Sequence, residues 1–470
     1  MRLGQLTGGP ETAQVTGFAI DHRKVAPGTV FGAFEGQRVN GEDFIPAAIA
    51  AGAIAVVARP EAKVEGAAHI ASDNPRAAFA GMAAKFFAPF PETAVAVTGT
   101  NGKTSTVEMT RQLWRMAGHH AASIGTLGVT TADERVVTGL TTPDVVTFLS
   151  NVGGLAREGV THLAFEASSH GLSQYRTEGV PVIAAAFTNL GRDHLDYHGD
   201  MAAYFTAKLR LFAEVLADEG TAVVWVDDPQ SERVIDLARA RRNKLVTVGE
   251  HGDTLRLVSR DPTLLGQGLV IAVEGREHKV TLPLIGAYQA ANALIAAGLV
   301  IATGGDVTQT IANLARLQPV RGRLERAVIA PSGAPVYVDY AHTADALEAA
   351  IAALRPHVAG RLILVFGAGG DRDHGKREPM GQVAAAQADV AIVTDDNPRG
   401  EDPAAIRAEI LEGAPGAIEI GDRRAAIARA IGMAGAEDIV LIAGKGHEQG
   451  QIVGDLVLPF DDVTVAREVA

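Results

Sequence analysis

The sequence predicts an α/β protein of three domains, two of them built on doubly wound parallel sheets. Short apolar runs of strand length alternate with segments of helix length in the middle and C-terminal parts of the chain. This alternation is typical of parallel strands that helices bury on both faces. The length of 470 residues exceeds what one hydrophobic core supports, so several domains are expected.

The first predicted domain, residues 1–90, is a small α/β unit. Its short strands accompany an alanine-rich helix, FIPAAIAAGA (44–53), which leads into the strand IAVVARP (54–60). The following segment FAPFPET (87–93) carries two prolines. Since proline interrupts both helix and strand, this segment marks a domain boundary.

The second predicted domain, residues 91–318, holds a central parallel sheet. Its strands are expected in the apolar runs TAVAVTG (93–99), HAASIGT (120–126), HLAFEA (162–167), VIAAAFTNL (182–190) and TAVVWVDD (221–228). Three closely spaced runs at 255–284 have no helix between them and predict a small antiparallel addition. The helix that follows, at 289–305, ends in two glycines.

The third predicted domain, residues 319–470, repeats the doubly wound pattern. Its strands are expected in VYVDY (336–340), RLILVFGAGG (361–370), VAIVTDD (390–396), AIEIGD (417–422) and DIVLIAGKG (438–446). Four of these runs lead into the polar loops AHT, GAGGDRD, DDNPR and GKGHE. The ligand crevice of an open parallel sheet lies beyond the carboxyl ends of its strands, so these loops are expected to form one site.

Composition excludes several classes of protein. The chain has 42 Lys and Arg against 55 Asp and Glu, a formal charge of −13 that disfavours nucleic-acid binding. It has no cysteine, which excludes disulfides, thiolate catalysis and cysteine-bound zinc. The sequence shows neither an apolar run of ~18 residues nor a signal peptide, so we expect a cytoplasmic protein without membrane insertion. We also expect a monomer.

The segment VAVTGTNGKTSTVEM (95–109) predicts a phosphate-binding loop. A strand leads into a turn with Gly99 and Gly102, and Lys103 and Thr104 open the next helix. Backbone N–H groups at such a turn suit phosphate oxygens, lysine adds positive charge, and threonine can ligate Mg²⁺. Two residues separate the glycines, where the standard loop has four, so a glycine turn beside a solvated lysine is the alternative.

Three other features of the central domain have both a functional and a plain interpretation. Glu166 ends a predicted strand and could approach a Mg²⁺–triphosphate, although a strand-end carboxylate is more often solvated or caps a helix. The loop DHLDYH (193–198) could be a zinc site, a catalytic pair or a polar loop. Lys208 lies on an amphipathic helix, where a lysine is ordinarily solvated.

The C-terminal part offers candidate ligands for a nucleotide and for an amino acid. Weak candidates for nucleotide contact are Asn292, Arg323, Asp339 and His342. The loop TDDNPRGEDP (394–403) contains Asn-Pro, which is also an ordinary turn signal. Its Arg399 beside Asn397 and Asp396 nevertheless offers partners for both the carboxylate and the ammonium group of an amino acid.

The ordered set of motifs resembles the Mur ligase family of peptidoglycan synthesis over essentially the whole chain. The motifs are GTNGKT, EASSHGL, TNLGRDHLDYHG with YFTAKLRLF, DYAHT, GGDRDHGKR, DNPR and GKGHE. The resemblance implies a UDP-binding N-terminal domain, a central ATPase domain and a Rossmann-like C-terminal domain that admits the amino acid. It also implies a ligase that phosphorylates the γ-carboxyl of D-glutamate in UDP-N-acetylmuramoyl-L-alanyl-D-glutamate. The amine of meso-2,6-diaminopimelate then attacks the acyl phosphate.

The resemblance also implies roles for individual residues. ATP would contact Gly99, Thr100, Asn101, Gly102, Lys103, Thr104, Ser105, Asn292, Arg323, Asp339 and His342. Catalysis would involve Lys103, Glu166, His194 and Lys208, and Mg²⁺ would be held by Thr104, Glu166, His194 and a carbamylated Lys208. The UDP-linked dipeptide would contact His22, Gln37, Asn40, Thr141, Thr142, Ser168, Gln174 and Arg176. Diaminopimelate would contact Arg372, Asp396, Asn397, Pro398, Arg399, Gly444 and Glu448.

The N-terminal block departs from the family pattern. Where the family usually has Asp-Ser-Arg, this chain has Asp-His-Arg at 21–23. Where Asp-Gly-His is usual, it has Asn-Gly-Glu at 40–42. The uracil and diphosphate contacts of this domain are therefore the weakest part of the resemblance.

Four other functions remain as alternatives. A lysine-adding or folate-glutamate ligase would share GTNGKT but should lack DNPR beside GGDRD, because lysine has no second carboxylate for Arg399 and Asn397 to bind. A P-loop kinase would have no need for the second loop-rich domain. A nucleotide-binding regulator should tolerate loss of Lys208 and Glu166. A structural protein would not need so many polar loops at strand ends.

Overall fold

The computed structural model describes residues 1–36, 39–132, 134–136, 139–263, 265–371 and 373–470. The chain forms two compact units, the first of residues 1–256 and 294–310, the second of 257–293 and 311–470. In the described residues, no helix is both long enough and apolar enough to cross a membrane. The predicted α/β architecture is confirmed in both units.

The first unit begins with a four-stranded parallel sheet in the order β1-β2-β3-β4. Its elements are α1 (Leu3–Thr7), β1 (Gly17–Ala19), β2 (Thr29–Gly32), α2 (Ile45–Ala50), β3 (Ala53–Ala58), β4 (Ala68–Ala71) and α3 (Pro75–Phe87). Helix α3 starts with proline at its first position, and the Asn74 side chain accepts a hydrogen bond from the Ala77 N–H. Both features are standard helix start signals.

The rest of the first unit is built on the predicted central sheet. Its elements are β5 (Thr93–Thr98), α4 (Lys103–Met116), β6 (Ala121–Gly125), β7 (Gly128–Thr130), β8 (Arg135–Val136), α5 (Val145–Arg157), β9 (His162–Glu166), α6 (Ser169–Ser173), β10 (Val182–Phe187), α7 (Leu195–His198), α8 (Met201–Arg210), β11 (Leu216–Trp225), α9 (Ser231–Ala240) and β12 (Lys244–Gly249). The parallel strands lie in the order β12-β11-β10-β5-β9-β6, and β7 and β8 add an antiparallel edge.

Strand β5 lies in the middle of this sheet because its residues are small and apolar on both faces. The side chains of 94–97, Ala-Val-Ala-Val, are fully buried. Helix α4 starts directly after Gly102, whose φ of 87° turns the chain from the strand into the helix. A π-helical turn at Leu211–Val215 continues α8 and leads into β11. Such turns are frequent at functional sites.

The chain passes between the two units within β13 (Leu255–Thr263), α10 (Ala287–Ala302) and α11 (Val307–Asn313). Strands β14 (Gly266–Val273) and β15 (Arg276–Leu282) pair antiparallel, from Gln267 opposite Leu282 to Val273 opposite Arg276. The predicted antiparallel addition is thus confirmed for these two strands, whereas β13 pairs in parallel with β12. Helix α10 covers most of the predicted helical segment.

The remainder of the second unit is the second predicted sheet, in the order β16-β17-β21-β18-β19-β20. All pairs are parallel except β16 with β17. The elements are β16 (Glu325–Ile329), β17 (Pro335–Asp339), α12 (Ala344–Leu354), β18 (Leu362–Phe366), α13 (Arg377–Gln387), β19 (Val390–Val393), α14 (Pro403–Gly413), β20 (Ile418–Glu419), α15 (Arg423–Met433), β21 (Ile439–Ala443), β22 (Gly450–Val453), β23 (Leu456–Pro459) and α16 (Asp462–Val469). The sequence did not predict the hairpin β22–β23.

Candidate active site

The predicted phosphate loop lies between β5 and α4, and the neighbouring strand β10 holds it from the side. Gly99 has a φ of 144°, and a Cβ there would clash with Thr188 Oγ1. Thr188 Oγ1 donates to the Asn101 carbonyl at 2.6 Å, and the Asn101 N–H donates to Asn189 Oδ1 at 2.9 Å. Ser105 follows, buried in the first turn of α4. The backbone of the loop is therefore fixed by its own neighbours.

The side-chain nitrogens of two lysines converge on one carbonyl of this loop. Lys103 Nζ donates to Gly99 O at 2.9 Å and to Thr100 O at 2.7 Å. Lys208 Nζ donates to the same Gly99 oxygen at 2.6 Å. Together with the N-terminus of α4, Lys103 gives this edge of the sheet the positive potential that phosphate groups require.

Lys208 is buried, with 1% of its surface exposed, so its placement on a solvated helix face is wrong. Its Nζ lies 4.3 Å from the centre of the Tyr204 ring. Burial lowers the pKa of Lys208 well below its ordinary value, and the charge of Lys103 lowers it further. Desolvation and a like charge both disfavour the ammonium form, so this site favours a neutral amine.

Glu166 ends β9, the parallel neighbour of β5. Its Oε1 accepts from the Thr126 N–H at 2.7 Å, and its Oε2 accepts from Thr126 Oγ1 at 3.3 Å. A Cβ at Gly125 would lie 2.2 Å from Oε1, so glycine is needed there for the carboxylate to adopt this position. Thr141 Oγ1 lies 3.1 Å from Thr126 Oγ1. The hydroxyl of Thr104, in the first turn of α4, is buried.

Four of the residues expected to bind the dipeptide form one hydrogen-bonded group beside Glu166. Thr142 Oγ1 lies 2.9 Å from both Glu166 O and Ser168 Oγ. Arg176 Nη1 donates to Thr142 O at 2.9 Å, and its Nη2 donates to Gln174 Oε1 at 2.7 Å. Burial lowers the pKa of Arg176. A guanidinium held in this way is oriented before an anionic group binds.

His194 lies in an aromatic cluster that extends to this group. It has a φ of 53°, and its ring centre lies 4.7 Å from that of His170 and 6.2 Å from that of Tyr204. Tyr197 packs on His170 at 4.0 Å and accepts a hydrogen bond from Gln174 Nε2 at 2.9 Å. Among the described side chains, no cluster of three or more histidines or carboxylates is placed to hold a metal ion.

The predicted nucleotide ligands of the N-terminal sheet make local contacts. The ring of His22 stacks on Phe44 at 4.4 Å with 3° between the planes. Asn40 Oδ1 accepts from the Glu42 N–H at 3.1 Å. Glu42 forms a two-point ion pair with Arg59, with both N–O distances 2.9 Å. This ion pair stands where the family motif usually has histidine.

In the second unit, Arg323, Asp339 and His342 surround Tyr340. The guanidinium of Arg323 lies 4.7 Å from the centre of the Tyr340 ring, and His342 Nδ1 lies 2.8 Å from Tyr340 O. Asp339 ends β17 and accepts backbone N–H groups at 2.7 and 2.9 Å. Burial raises the pKa of Asp339 and lowers that of His342. Both groups are thereby biased toward their neutral forms.

Asn292 is connected to the same region through one side chain. It lies on α10 and is buried, and its Nδ2 is 3.5 Å from Gln289 Oε1. Gln289 Nε2 donates to Arg323 O at 3.0 Å. The structure therefore brings the four C-terminal nucleotide candidates into one neighbourhood.

The loop DNPR lies beside β18 and β21 at their carboxyl ends. Arg399, with a φ of 53°, donates from Nη1 to Gly370 O at 2.9 Å. A Cβ at Gly370 would clash with Pro398 O, and one at Gly444 would lie 2.6 Å from Asp396 Oδ2. Small residues thus allow the three loops GGDRD, DNPR and GKGHE to approach each other closely.

Asn397 and Glu448 form the polar centre of these loops. Asn397 Nδ2 donates to Glu448 Oε2 at 2.8 Å. Asn397 Oδ1 accepts from Lys445 Nζ at 2.9 Å and from the Ile452 N–H, also at 2.9 Å. The hairpin β22–β23, which supplies Ile452, therefore helps to hold the site.

Sequence reasoning did not single out several residues that hold these groups. Lys445 and Arg377 are fully buried cations at strand and helix ends, and Tyr197 joins His170 to Gln174. Lys445 lies within the motif GKGHE and Arg377 within GGDRDHGKR, so their place in these motifs could have identified them from the sequence. Two predicted ligands, Gln37 and Arg372, lie outside the described residues.

Three family models match successive parts of the chain. They are described as "Mur ligase family, catalytic domain" at residues 14–86, "Mur ligase middle domain" at 97–300 and "Mur ligase, glutamate ligase domain" at 322–446. Together they span most of the sequence.

Individual proteins give the same result. A UDP-N-acetylmuramoyl-L-alanyl-D-glutamate–2,6-diaminopimelate ligase of Zymomonas mobilis is 62% identical, covering 97% of this chain and 94% of its own. A solved structure of a ligase with that name is 33% identical with a TM-score of 0.74, and covers 100% of this chain and 98% of its own. The structure of a MurF ligase from Thermotoga maritima in complex with ADP is 20% identical with a TM-score of 0.62, covering 97% of both chains. That last likeness concerns the fold alone.

Proposed function

Because this chain belongs to the Mur ligase family, we propose that it joins meso-2,6-diaminopimelate to UDP-N-acetylmuramoyl-L-alanyl-D-glutamate with cleavage of ATP. The 62% identity with a ligase of that name over 97% of the chain is the observation that carries the proposal. The enzyme is an ATP-dependent ligase. It forms an amide of the D-glutamate γ-carboxyl through an acyl phosphate.

The first step requires positive charge beside the transferred phosphoryl group. Lys103 and the N–H groups that open α4 would bind the phosphates, since both occur at the phosphate loop. The Lys103 ammonium is held at this loop by the carbonyls of Gly99 and Thr100. Phosphoryl transfer depends mainly on positioning and charge neutralisation, so no protein nucleophile is needed.

The donor set of this edge fits Mg²⁺. Thr104 and Glu166 supply the hard oxygen ligands that Mg²⁺ prefers, and the glycine at 125 makes room for the Glu166 carboxylate. When bound, Mg²⁺ would neutralise charge on the phosphoryl oxygens. His194 would contribute a nitrogen ligand on the same side of the sheet.

Carbamylation of Lys208 is supported by its environment. A lowered pKa increases the unprotonated fraction of a buried amine, and only that form has the lone pair that attacks CO₂. The amine nitrogen bonds to the carbon of CO₂ and loses a proton, which gives a carbamate with one negative charge. The product would be a carboxylate-like ligand next to Lys103, whose positive charge would stabilise it.

The dipeptide and the amino acid would bind to two of the hydrogen-bonded groups of residues in the candidate active site. Thr141, Thr142, Ser168, Gln174 and Arg176 would hold the muramoyl-dipeptide. In the second unit, Arg399 and Asn397 would bind the distal carboxylate of diaminopimelate and Glu448 its distal ammonium. Lysine lacks that carboxylate and would leave the Arg399 guanidinium without an anionic partner.

Contacts to the uracil end, and Arg372 as an amino-acid ligand, stay predictions. So do the three domain boundaries, the monomeric state and the cytoplasmic location. His22, Gln37 and Asn40 are the residues on which the uracil assignment rests.

One assay tests the proposal. The protein is incubated with UDP-N-acetylmuramoyl-L-alanyl-D-glutamate, ATP and Mg²⁺, with meso-diaminopimelate or lysine in parallel, and phosphate release is measured. We expect release that depends on diaminopimelate. No release with either amino acid would contradict the ligase assignment, whereas release with lysine alone would contradict the assignment of Arg399.

A further inference from the structure

We infer that Lys445 is a positioning residue for the amino-acid substrate: it fixes the Asn397 amide so that Asn397 presents N–H donors while Glu448 presents the acceptor. The inference rests on the proposed function. It concerns a fully buried side chain that touches three members of the predicted diaminopimelate site without being one of them.

Lys445 contacts three residues of the site through its ammonium group. Its Nζ lies 2.9 Å from Asn397 Oδ1, 3.4 Å from Glu448 Oε2 and 3.8 Å from Asp396 Oδ1. Side-chain exposure is 0% for Lys445 and 8% for Asp396, against 32% for Glu448. The lysine therefore lies behind the site, and the more exposed Glu448 faces outward.

Chemistry fixes which way the Asn397 amide is turned. Its Oδ1 accepts from two donors, the Lys445 ammonium and the Ile452 N–H, each at 2.9 Å. If the amide were reversed, its NH₂ would face both of these donors and its oxygen would face the Glu448 carboxylate. Each of those contacts is repulsive, so the observed orientation is the one the surroundings permit.

With the amide in this orientation, Asn397 provides the hydrogen-bond donor and Glu448 the acceptor for the amino-acid substrate. The Asn397 amide nitrogen carries two hydrogens and gives one to Glu448 Oε2. Asn397 can thus donate to a carboxylate but cannot accept from an ammonium, whereas Glu448 can accept from an ammonium. A carbon that carries both groups, as the distal centre of diaminopimelate does, matches a donor and an acceptor side by side.

The test compares K445M with the wild-type enzyme. We expect the KM for meso-diaminopimelate to rise on the order of tenfold to a hundredfold, the effect of losing a hydrogen bond to a charged group. The KM values for ATP and for the UDP-linked dipeptide should stay within about twofold of wild type. ATP-dependent hydroxamate formation, with hydroxylamine replacing the amino acid, should also be unchanged because it needs only the acyl phosphate.

Two variants separate positioning from a general loss of structure. R424Q removes an arginine from an exposed ion pair with Glu468 in the same unit and should change none of the three KM values. In the background of N397A, K445M should have little further effect on the KM for diaminopimelate, because the lysine acts through that amide. Full additivity of the two variants would overturn the inference.

A third variant tests the amide orientation when Lys445 is intact. In N397D, Lys445 keeps an oxygen acceptor, so folding is retained even if K445M does not fold. The KM for diaminopimelate should rise at least as much as in N397A, since a second carboxylate replaces the donor. An unchanged or lower KM would overturn the inference. A wild-type enzyme inert with diaminopimelate would instead reject the proposed function and the inference with it.

Discussion

Lys208 and Lys445 are both buried lysines at the carboxyl end of a parallel sheet, yet their surroundings are opposite. Lys208 donates to a backbone carbonyl and has the positive charge of Lys103 nearby. Lys445 has Asp396 and Glu448 within 3.8 and 3.4 Å. Burial costs an ammonium group its hydration in both places. At Lys208 the attraction of Asp193 is smaller than the effects of burial and of the Lys103 charge, whereas Lys445 has two carboxylates within 3.8 Å.

The comparison shows that the charges around a buried lysine determine whether it acts as a neutral amine or as an ammonium group. A buried amine whose charge is only weakly compensated is shifted toward its neutral, nucleophilic form and is suited to modification. A compensated ammonium is suited to orienting its neighbours. The loop sequences alone, TNGKT with a remote lysine and AGKGHE, do not reveal which lysine has which surroundings.

The largest expected effect comes from removing the amine of Lys208. K208A should lower diaminopimelate-dependent phosphate release about a thousandfold, because the carbamate that we propose as a metal ligand cannot form. Added formate or acetate should restore part of the activity by occupying the space of the carbamate. K244A, on an exposed lysine of β12, is the matched control and should be active. Wild-type activity of K208A would contradict the proposed role of Lys208 and with it the difference drawn between the two lysines.

The next largest effect is expected at Arg423, a buried cation that interacts electrostatically with Asp396 and Glu448, the carboxylates beside Lys445. Arg423 is fully buried and pairs with Asp462 through N–O distances of 2.8 and 2.7 Å. R423M should lower the free energy of unfolding by about 3 kcal/mol, since it leaves the buried Asp462 unpaired. Urea denaturation measures the change.

Its neighbour in sequence supplies the control. Arg424 forms an ion pair with Glu468 in which both side chains are half exposed. R424M should therefore change the free energy of unfolding by less than about 1 kcal/mol. Equal effects of the two substitutions would show that charge compensation in this unit does not depend on burial.

A smaller effect on activity is expected from replacing Arg399, which lies in the same loop as Asn397, the partner of Lys445. R399Q should raise the KM for meso-diaminopimelate on the order of tenfold to a hundredfold, because a neutral amide replaces a charged partner of the carboxylate. The KM for ATP should not change. Steady-state phosphate release with each substrate varied separately measures both. Equal increases in the two KM values would contradict the assignment.

The smallest effect is the pH dependence that Lys208 gives to stability. Its pKa is lowered in the folded protein, so above that value the unfolded chain binds more protons than the folded one, until the ordinary lysine pKa of about 10.4 is reached. The free energy of unfolding therefore rises with pH across this interval, by at most about 1.4 kcal/mol per pH unit.

The measurement compares wild type with K208M by urea denaturation in CO₂-free buffer between about pH 7 and pH 9. The wild-type value minus the K208M value should increase with pH. A constant difference would mean that Lys208 titrates alike in both states and is not driven neutral by burial.

Much of the fold followed from local pattern. Apolar runs such as 93–98 and 362–366 are strands because they are short, continuous and bounded by glycine or polar residues. The two-residue strand Ile418–Glu419 lies inside the predicted run 417–422, whereas the two strands of the hairpin at 450–459 were beyond this reasoning. Their pairing depends on the neighbours they meet in the folded chain and not on their own periodicity.

The candidate site divides in the same way. The sequence by itself determined the phosphate loop, Glu166 at a strand end and the polar loops around Asn397, because each is a local string whose chemistry can be interpreted directly. Only the tertiary structure decided that Lys208 is buried against Gly99 and that Lys445 lies behind Asn397 and Glu448. Burial and charge compensation depend on residues far apart in the chain, and those two quantities determine what a lysine can do.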